Sequence, residues 1–269
     1  MQAILSHTVI HYERIGEGDD QLPVLLFLHE ALGSISQWKS FPEQLCSQLK
    51  LPGIIYERQG HGLSAPLNQP RDEEYLHNYA LKELPEFLDV INEKRALWLI
   101  GHSDGGTIAL LFASAFPNRV QGIVTMAAHV INEPETIEGI APAIEAYQAG
   151  KLKGLQKYHG DKTEVLFFAW ANIWRSQAFK DWDITTEISN CKKPALFIQG
   201  TDDQYGTEKQ LQLITSNYTG ESTALMLPNC GHHPHLEQTE MVMAAITDLI
   251  SSSFRTMFVK TKDFPGLFL

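Results

Sequence analysis

Three short segments of this sequence carry the residue types that nucleophilic catalysis requires. Ser103 stands at the centre of a Gly-x-Ser-x-Gly motif over Gly101–Gly105, the adjacent acids Asp202 and Asp203 lie further along the chain, and His232 comes last. A serine hydroxyl is a weak nucleophile at neutral pH, so it needs a histidine to accept its proton and a carboxylate to orient that histidine. The three segments therefore indicate acyl transfer through a covalent serine intermediate.

The serine motif lies between a predicted strand and a predicted helix. The apolar run Ala96–Ile100 precedes it, and the run Ile108–Phe116, which Pro117 closes, follows it. A strand that enters a helix through so tight a turn holds the central serine in a strained conformation with its hydroxyl facing substrate, an arrangement called the nucleophile elbow. The other interpretation of these residues is a glycine-rich turn with a capping serine.

The candidate acid and base also follow predicted strands. The strand over residues 195–199 runs into Asp202 and Asp203, and the strand over residues 223–227 runs into a histidine-rich loop that contains His232. A nucleophile elbow predicts this chain order of serine, acid and histidine, with all three at one edge of the sheet. Two adjacent acids cannot both point into one cleft, so Asp202 and Asp203 compete for the same role.

Short apolar runs alternate with helical patterns along most of the chain. The alternation predicts an α/β fold with a mainly parallel central sheet flanked by helices, and the continuous apolar runs favour buried parallel strands. Helices are predicted from Gln37 to Lys50, from Tyr75 to Asn92 with a kink at Pro85, and from about Glu240 to Ser252. The predicted strands are Val24–Leu28, Gly53–Tyr56, Ala96–Ile100, Val120–Met126, Ala195–Gln199 and Thr223–Leu227.

The alternation stops between residues 130 and 188, where the pattern is helical and rich in aromatic residues. We therefore predict a helical cap over residues 130–188, inserted into a core of residues 1–129 and 189–269. Most of its aromatic side chains are expected to pack inside the insertion. A cap must also present some apolar surface to the cleft, so a minority, with Trp170 and Trp174 as candidates, should contact substrate.

Composition limits the partners of this protein. The 269 residues include 32 acids and 21 bases, a net charge of −11, which argues against binding to nucleic acid or to anionic membranes. The three widely spaced cysteines predict neither a disulfide framework nor a zinc site, and no signal peptide or transmembrane run is recognisable. We expect a cytoplasmic location. The apolar end Phe254–Leu269 is expected to pack on the body of the chain or on a second subunit of a homodimer.

Five segments together resemble the α/β-hydrolase superfamily, in the group with a helical cap, over about residues 4–252. His29–Ser34 is similar to the family's His-Gly-x-x-Gly oxyanion loop, and Glu57–Ser64 is similar to its Asp-x-Arg-Gly-x-Gly-x-Ser loop. The other three are the nucleophile elbow Gly101–Gly105, the acid site Gly200–Asp203 and the base site Gly231–His235.

The resemblance implies a catalytic triad of Ser103, Asp203 and His232. It also implies an oxyanion hole formed by the backbone N–H groups of Ala31 and Asp104, and it requires no metal or organic cofactor. Glu30 departs from the pattern, because the family usually has glycine at this position of the oxyanion loop.

Two carboxylates in these motifs suggest a preference for a charged substrate. Glu30 or Asp104 could face the pocket and receive a cationic group such as an α-amine. The alternative for Asp104 is stabilisation of the helix N-terminus, worth about 0.3–1 kcal/mol.

The sequence therefore predicts a serine hydrolase that cleaves an ester or related acyl bond of a small molecule. Two rivals use the same triad, a C–C bond hydrolase of ring-cleavage products and a perhydrolase. A third is a non-catalytic receptor that captures a small molecule under the cap, but a pure binder has no need of three matched catalytic groups.

Overall fold

A mainly parallel sheet organises the chain. The computed structural model describes residues 1–16 and 21–262, with side chains to residue 255, and within these residues eight strands form one sheet in the order β1-β2-β4-β3-β5-β6-β7-β8. Strands β1 and β2 are antiparallel to their neighbours, and the others run parallel, which confirms the predicted α/β fold. The strands are β1 (Gln2–Ile4), β2 (Val9–Ile15), β3 (Val24–Leu28), β4 (Gly53–Glu57), β5 (Leu97–His102), β6 (Val120–Met126), β7 (Ala195–Gly200) and β8 (Ser222–Leu227).

Helices cover both faces of this sheet. One face packs against α1 (Phe41–Leu49) and α10 (Thr239–Lys262), and the other packs against α3 (Leu84–Val90), α4 (Asp104–Ala115) and α8 (Glu208–Asn217). Leu25 and Phe27 of β3 point into the first core, while Leu26 and Leu28 point into the second, and all four have no exposed surface. Burial on both faces is the reason that the strands read as continuous apolar runs.

Two predicted helices are interrupted in the structure. The prediction of one helix over 37–50 is wrong, because a 3₁₀ turn at Ile35–Trp38 ends at Lys39 with φ of 56° before α1 begins. Pro42 lacks the N–H that a continuous helix would need here. The predicted break near Pro85 is confirmed, since a π-helical turn at Tyr79–Glu83 separates α2 (Tyr75–Asn78) from α3.

The chain ends also differ from expectation. The sequence patterns missed β1 and β2, which form an antiparallel edge, and α10 extends to Lys262, beyond the predicted end at Ser252. Phe254 is partly buried against the core beneath α10, as one of the two predictions for the apolar tail requires. Residues 263–269 of that tail lie outside the described residues.

The segment between β6 and β7 is helical, as the sequence predicts. It forms α5 (Pro134–Gln148), α6 (Gln156–His159) and α7 (Thr163–Trp174). His159 accepts a hydrogen bond from Gly62 N at 3.0 Å and donates one to Leu32 O at 2.9 Å. Lys162 donates to Gly62 O at 2.6 Å. These contacts attach the segment to the loops that follow β3 and β4.

Replacing Gly105 with alanine is expected to destabilise the fold, because β3 passes directly over the first turn of α4. A Cβ atom at Gly105 would lie 1.9 Å from Leu28 O and 2.7 Å from His29 O, which are backbone atoms that cannot rotate away. Overpacking of this kind costs about 1–3 kcal/mol. Thermal unfolding should therefore show a lower Tm for Gly105→Ala. Gly154→Ala is the matched control, since nothing lies within 4 Å of a Cβ there, and equal Tm values for both variants would contradict this account.

Candidate active site

Ser103 occupies a strained turn between β5 and α4. Its φ of 53° and ψ of −120° lie where non-glycine residues rarely occur, at a cost of about 1–3 kcal/mol that the surrounding structure must offset. Ser103 N donates to Met126 O at 2.8 Å, and Ser103 O accepts from Gly106 N at 2.8 Å, so the turn is fixed from both sides. This is the geometry that the Gly-x-Ser-x-Gly motif predicts.

The loops after β7 and β8 bring an acid and a histidine to this serine. His232 Nε2 lies 2.9 Å from Ser103 Oγ, and His232 Nδ1 lies 2.9 Å from both carboxylate oxygens of Asp203. The carboxylate can only accept, so the proton resides on Nδ1, and Nε2 is left to accept from the serine hydroxyl. Asp203 is the acid that contacts His232, whereas Asp202 is exposed and accepts from Thr201.

Asp203 is held independently of the histidine. Its side chain has no exposed surface, and it accepts hydrogen bonds from Gln199 Nε2 at 2.8 Å and from Tyr205 N at 2.8 Å. These two donors hold the carboxylate in place, and His232 Nδ1 is its third hydrogen-bond partner.

The charges around His232 set its protonation. Burial lowers the pKa of His232, but the carboxylates of Asp203, Glu30 and Asp104 outweigh burial and raise it above its ordinary value of 6.5. Burial raises the pKa of Asp203, yet the charge and hydrogen bond of His232 leave it below its ordinary value. Asp203 stays ionised at neutral pH and stabilises the imidazolium that forms when His232 accepts a proton.

Hydrogen bonds from Arg58 hold the loop after β3. Arg58 donates hydrogen bonds to the carbonyl of His29 at 2.6 Å and to the carbonyl of Glu30 at 2.8 Å, which fixes the backbone of this loop. Within the described part of the chain, no hydrogen bond occupies the N–H of Ala31 or of Asp104. Both predicted donors are therefore free to bind an oxyanion.

The two unusual carboxylates both line the cavity at Ser103. Glu30 is half-buried and accepts from Leu32 N at 3.0 Å. Asp104 is buried and accepts from the Tyr75 hydroxyl at 3.0 Å, which itself accepts from Trp174 Nε1 at 2.8 Å. Asp104 thus does more than begin a helix, because the Tyr75 hydroxyl connects it to Trp174 of the helical segment.

The cavity beside Ser103 has a volume of about 230 Å³ and a largely aromatic wall. Both predicted tryptophans, Trp170 and Trp174, line it together with Phe167 of the same helix. Its polar lining includes Glu30 and Asp104, and no lysine or arginine lines it among the residues that the structure describes.

Sequence reasoning missed several residues of this cavity, among them His129 and Tyr205. His129 follows β6 and donates from Nε2 to Tyr205 O at 2.9 Å, which supports the loop that carries Asp203. Its place at the end of a predicted strand was an available signal. Tyr205 stands only two residues after Asp203, and its ring packs edge-on against His232 at 4.9 Å.

Among the described residues, no group of three or more histidine, cysteine, aspartate or glutamate side chains is arranged to hold a metal ion. None of the helices in that part of the chain combines the length and the apolar character that a bilayer crossing requires.

Comparison with known proteins gives distant but extensive similarity. The chain is 25% identical to serine hydrolase BPHL of Mus musculus, covering 90% of this chain and 82% of that protein. It is 23% identical to 2-hydroxy-6-oxo-6-phenylhexa-2,4-dienoate hydrolase of Comamonas testosteroni, covering 88% and 89%. It is 21% identical to proline iminopeptidase of Saccharolobus solfataricus, covering 77% and 78%.

Solved structures and family models agree on the fold. An enol-lactonase from Burkholderia xenovorans LB400 superimposes with a TM-score of 0.71 at 19% identity. The match covers 93% of this chain and 100% of the lactonase chain. A membrane phospholipase A gives a TM-score of 0.77 at 19% identity, covering 94% and 86%. The model of the alpha/beta hydrolase family matches residues 25–245. The chain belongs to the alpha/beta hydrolase family and is a hydrolase.

Proposed function

We propose that this protein is a serine hydrolase that cleaves an ester or related acyl bond of a small molecule. The observation that carries the proposal is the continuous hydrogen-bonded line from Asp203 through His232 to Ser103, with both links at 2.9 Å. A serine, an imidazole and a buried carboxylate in this geometry form a nucleophile, its general base and the group that orients the base.

The reaction follows from these positions. His232 Nε2 accepts the proton of Ser103 as the hydroxyl oxygen attacks the carbonyl carbon, and the N–H groups of Ala31 and Asp104 bind the oxyanion. The bond to the leaving group then breaks, and the leaving group takes the proton from His232. Water attacks the acyl-enzyme by the same route and restores Ser103.

We assign residues 130–188 to a cap and residues 1–129 and 189–269 to the catalytic core. The support for this division is that α7 supplies aromatic residues to the cavity wall while His159 and Lys162 attach the segment to core loops. A cap of this kind separates the cavity from bulk solvent and sets the shape of the acyl pocket. The cytoplasmic location and the homodimer stay predictions from the sequence.

The charge of the cavity favours a cationic or neutral substrate. Glu30 and Asp104 line it, and no basic side chain among the described residues opposes them there. A dienoate, such as the name of the Comamonas testosteroni relative denotes, is an anion that two carboxylates would repel. This observation favours ester hydrolysis over the C–C hydrolase alternative.

Asp203→Asn is expected to lower kcat by about 10⁴, because the amide no longer fixes the tautomer or stabilises the imidazolium. Asp202→Asn is the matched control, since Asp202 is exposed and does not contact His232. Hydrolysis of p-nitrophenyl esters measures both. Loss of activity in Asp202→Asn with activity retained in Asp203→Asn would show that the wrong acid is assigned.

A fluorophosphonate probe separates the enzyme from a non-catalytic receptor. We expect labelling of Ser103 in the parent protein and none in Ser103→Ala or His232→Ala. A parent protein that is folded but unlabelled, or labelling that persists in His232→Ala, would argue for the receptor alternative.

The pH profile should show an acid limb above pH 6.5, since catalysis needs neutral His232 and neighbouring carboxylates raise the pKa of that residue. Activity is therefore lost as the pH falls through this raised pKa. Glu30→Gln removes one of the negative charges and should move the limb of kcat/KM to lower pH. Glu43→Gln, an exposed position on α1, should leave it unchanged. A limb that does not move in Glu30→Gln would remove Glu30 from the electrostatics of the site.

Preference for a cationic acyl group is tested with two p-nitrophenyl esters, one of an amino acid and one of its uncharged isostere. We expect the parent to favour the charged ester, and Glu30→Gln or Asp104→Asn to reduce the ratio of kcat/KM values by about tenfold, since hydrogen bonds to charged groups contribute about 1.5–3 kcal/mol. Asparagine keeps an oxygen for the Tyr75 hydroxyl. If both variants affect both esters alike, neither carboxylate receives the amine.

A further inference from the structure

A second cavity of about 220 Å³ adjoins the catalytic one. Glu30, Gln37 and His233 line both cavities, so these three side chains form the partition between them. The second cavity lies between the 3₁₀ turn before α1 and the short helix α9 (Pro234–Glu237), and Leu236 lines it with 40% of its surface exposed. No step of the proposed reaction at Ser103 uses the second cavity.

Aromatic and imidazole rings belong to half of the residues that line the second cavity. Trp38 and His235 pack against each other with ring centroids 4.7 Å apart, and His102 lies 4.8 Å from His235. Tyr158, from α6, completes the aromatic lining. A wall that contains several aromatic rings suits an aromatic ligand. In another protein a cavity of about 150 Å³ binds benzene, so this one has room for a ring and its substituents.

Two residues of this wall also carry hydrogen-bond donors. Trp38 is 2% exposed, and among the described residues its indole Nε1 has no hydrogen-bond partner, which is costly for a buried donor. The Lys39 ammonium lies 3.4 Å from the Tyr158 hydroxyl at the same cavity. Both groups are donors, so they match a ligand that carries a hydrogen-bond acceptor.

In the partition between the two cavities, Gln37 is held by a hydrogen bond and Glu30 carries a negative charge. Ser34 Oγ donates to Gln37 Oε1 at 3.0 Å, which holds the Gln37 amide in place between the cavities. Glu30 contributes a carboxylate to the same boundary. A ligand that crosses here cannot be an anion, since the Glu30 carboxylate would repel it, and the Lys39 ammonium at the second cavity disfavours a cation.

We propose that the second cavity binds the leaving group of the substrate, and that this group is an uncharged aromatic alcohol with a hydrogen-bond acceptor. The proposal rests on the proposed function, because it assumes acyl transfer at Ser103. The aromatic cavity under α7 then holds the acyl part.

The direction of the reaction assigns the two sides. His232 gives its proton to the oxygen of the departing alcohol, so that oxygen must lie beside His232 Nε2. His233, the next residue, lines both cavities, and His235 lines the second. An aryl group attached to the departing oxygen therefore extends past His233 into the second cavity, while the acyl carbon remains bonded to Ser103.

Leu236→Trp tests the proposal, because a larger ring at this exposed position narrows the second cavity without disturbing the core. We expect kcat/KM for 4-methylumbelliferyl acetate to fall by about tenfold or more, as differences in pocket contacts of this size produce. The kcat/KM of Leu236→Trp for trifluoroethyl acetate, whose alcohol is small, should be almost unchanged. The dependence of kcat/KM on the length of the acyl chain should also be almost unchanged. Met241→Trp is the control, since Met241 is 47% exposed on α10 and does not line the cavity.

Binding of free 4-methylumbelliferone gives a second measurement that does not depend on catalysis. We expect Leu236→Trp to weaken this binding about tenfold and Met241→Trp to leave it unchanged. An unchanged Kd in Leu236→Trp, or equal losses for both acetate esters, would overturn the leaving-group site. The proposed function fails on a different result, ester hydrolysis that persists in Ser103→Ala.

Discussion

The close approach of β5, α4 and β3 at the elbow is the constraint on which the rest of the site depends. A Cβ at Gly101 would lie 2.3 Å from Gly105 O, and one at Gly105 would lie 1.9 Å from Leu28 O. Because β5 and α4 lie this close together, the single residue Ser103, with φ of 53°, connects the strand to the helix. The same packing places the first amide of α4 beside the loop after β3, so one contact between elements positions the nucleophile and both amides of the proposed oxyanion hole.

Electrostatics at the site follow from this arrangement. Three carboxylates, Asp203, Glu30 and Asp104, raise the pKa of His232 even though burial lowers it. Asp203 is directly hydrogen-bonded to the imidazole, whereas Glu30 and Asp104 act through the cavity. These carboxylates therefore stabilise positive charge both on His232 and in the cavity beside Ser103. That is consistent with an acyl group that brings a cation, and with a leaving group that is neutral where it passes Glu30.

Sequence reasoning succeeded where one local pattern determined the outcome. The buried strands were visible as apolar runs, and the residues that must follow strands β5, β7 and β8 placed Ser103, Asp203 and His232 at one edge. It failed where tertiary contacts decide. Strand β2 lies between β1 and β4 near one end of the sheet, and its partly exposed residues give only a weak sequence pattern. Lys39 interrupts a helical pattern through its backbone conformation alone. The Tyr75–Asp104 hydrogen bond and the second cavity depend on how distant elements meet, which no spacing in the chain encodes.

The contacts of the loop after β4 explain the residue types of the Glu57–Ser64 motif. Arg58 fixes the carbonyls of the oxyanion loop, and the Glu57 carboxylate accepts from Ile35 N at 3.0 Å, at the start of the turn that leads to the second cavity. Gly62, whose added Cβ would lie 2.0 Å from that carboxylate, donates to His159 of the helical segment. One loop thus connects the oxyanion loop, the second cavity and the segment above the acyl side. The side chains of this loop can affect catalysis without contacting substrate. Displacement of the loop would move the oxyanion loop, the wall of the second cavity and the helical segment together.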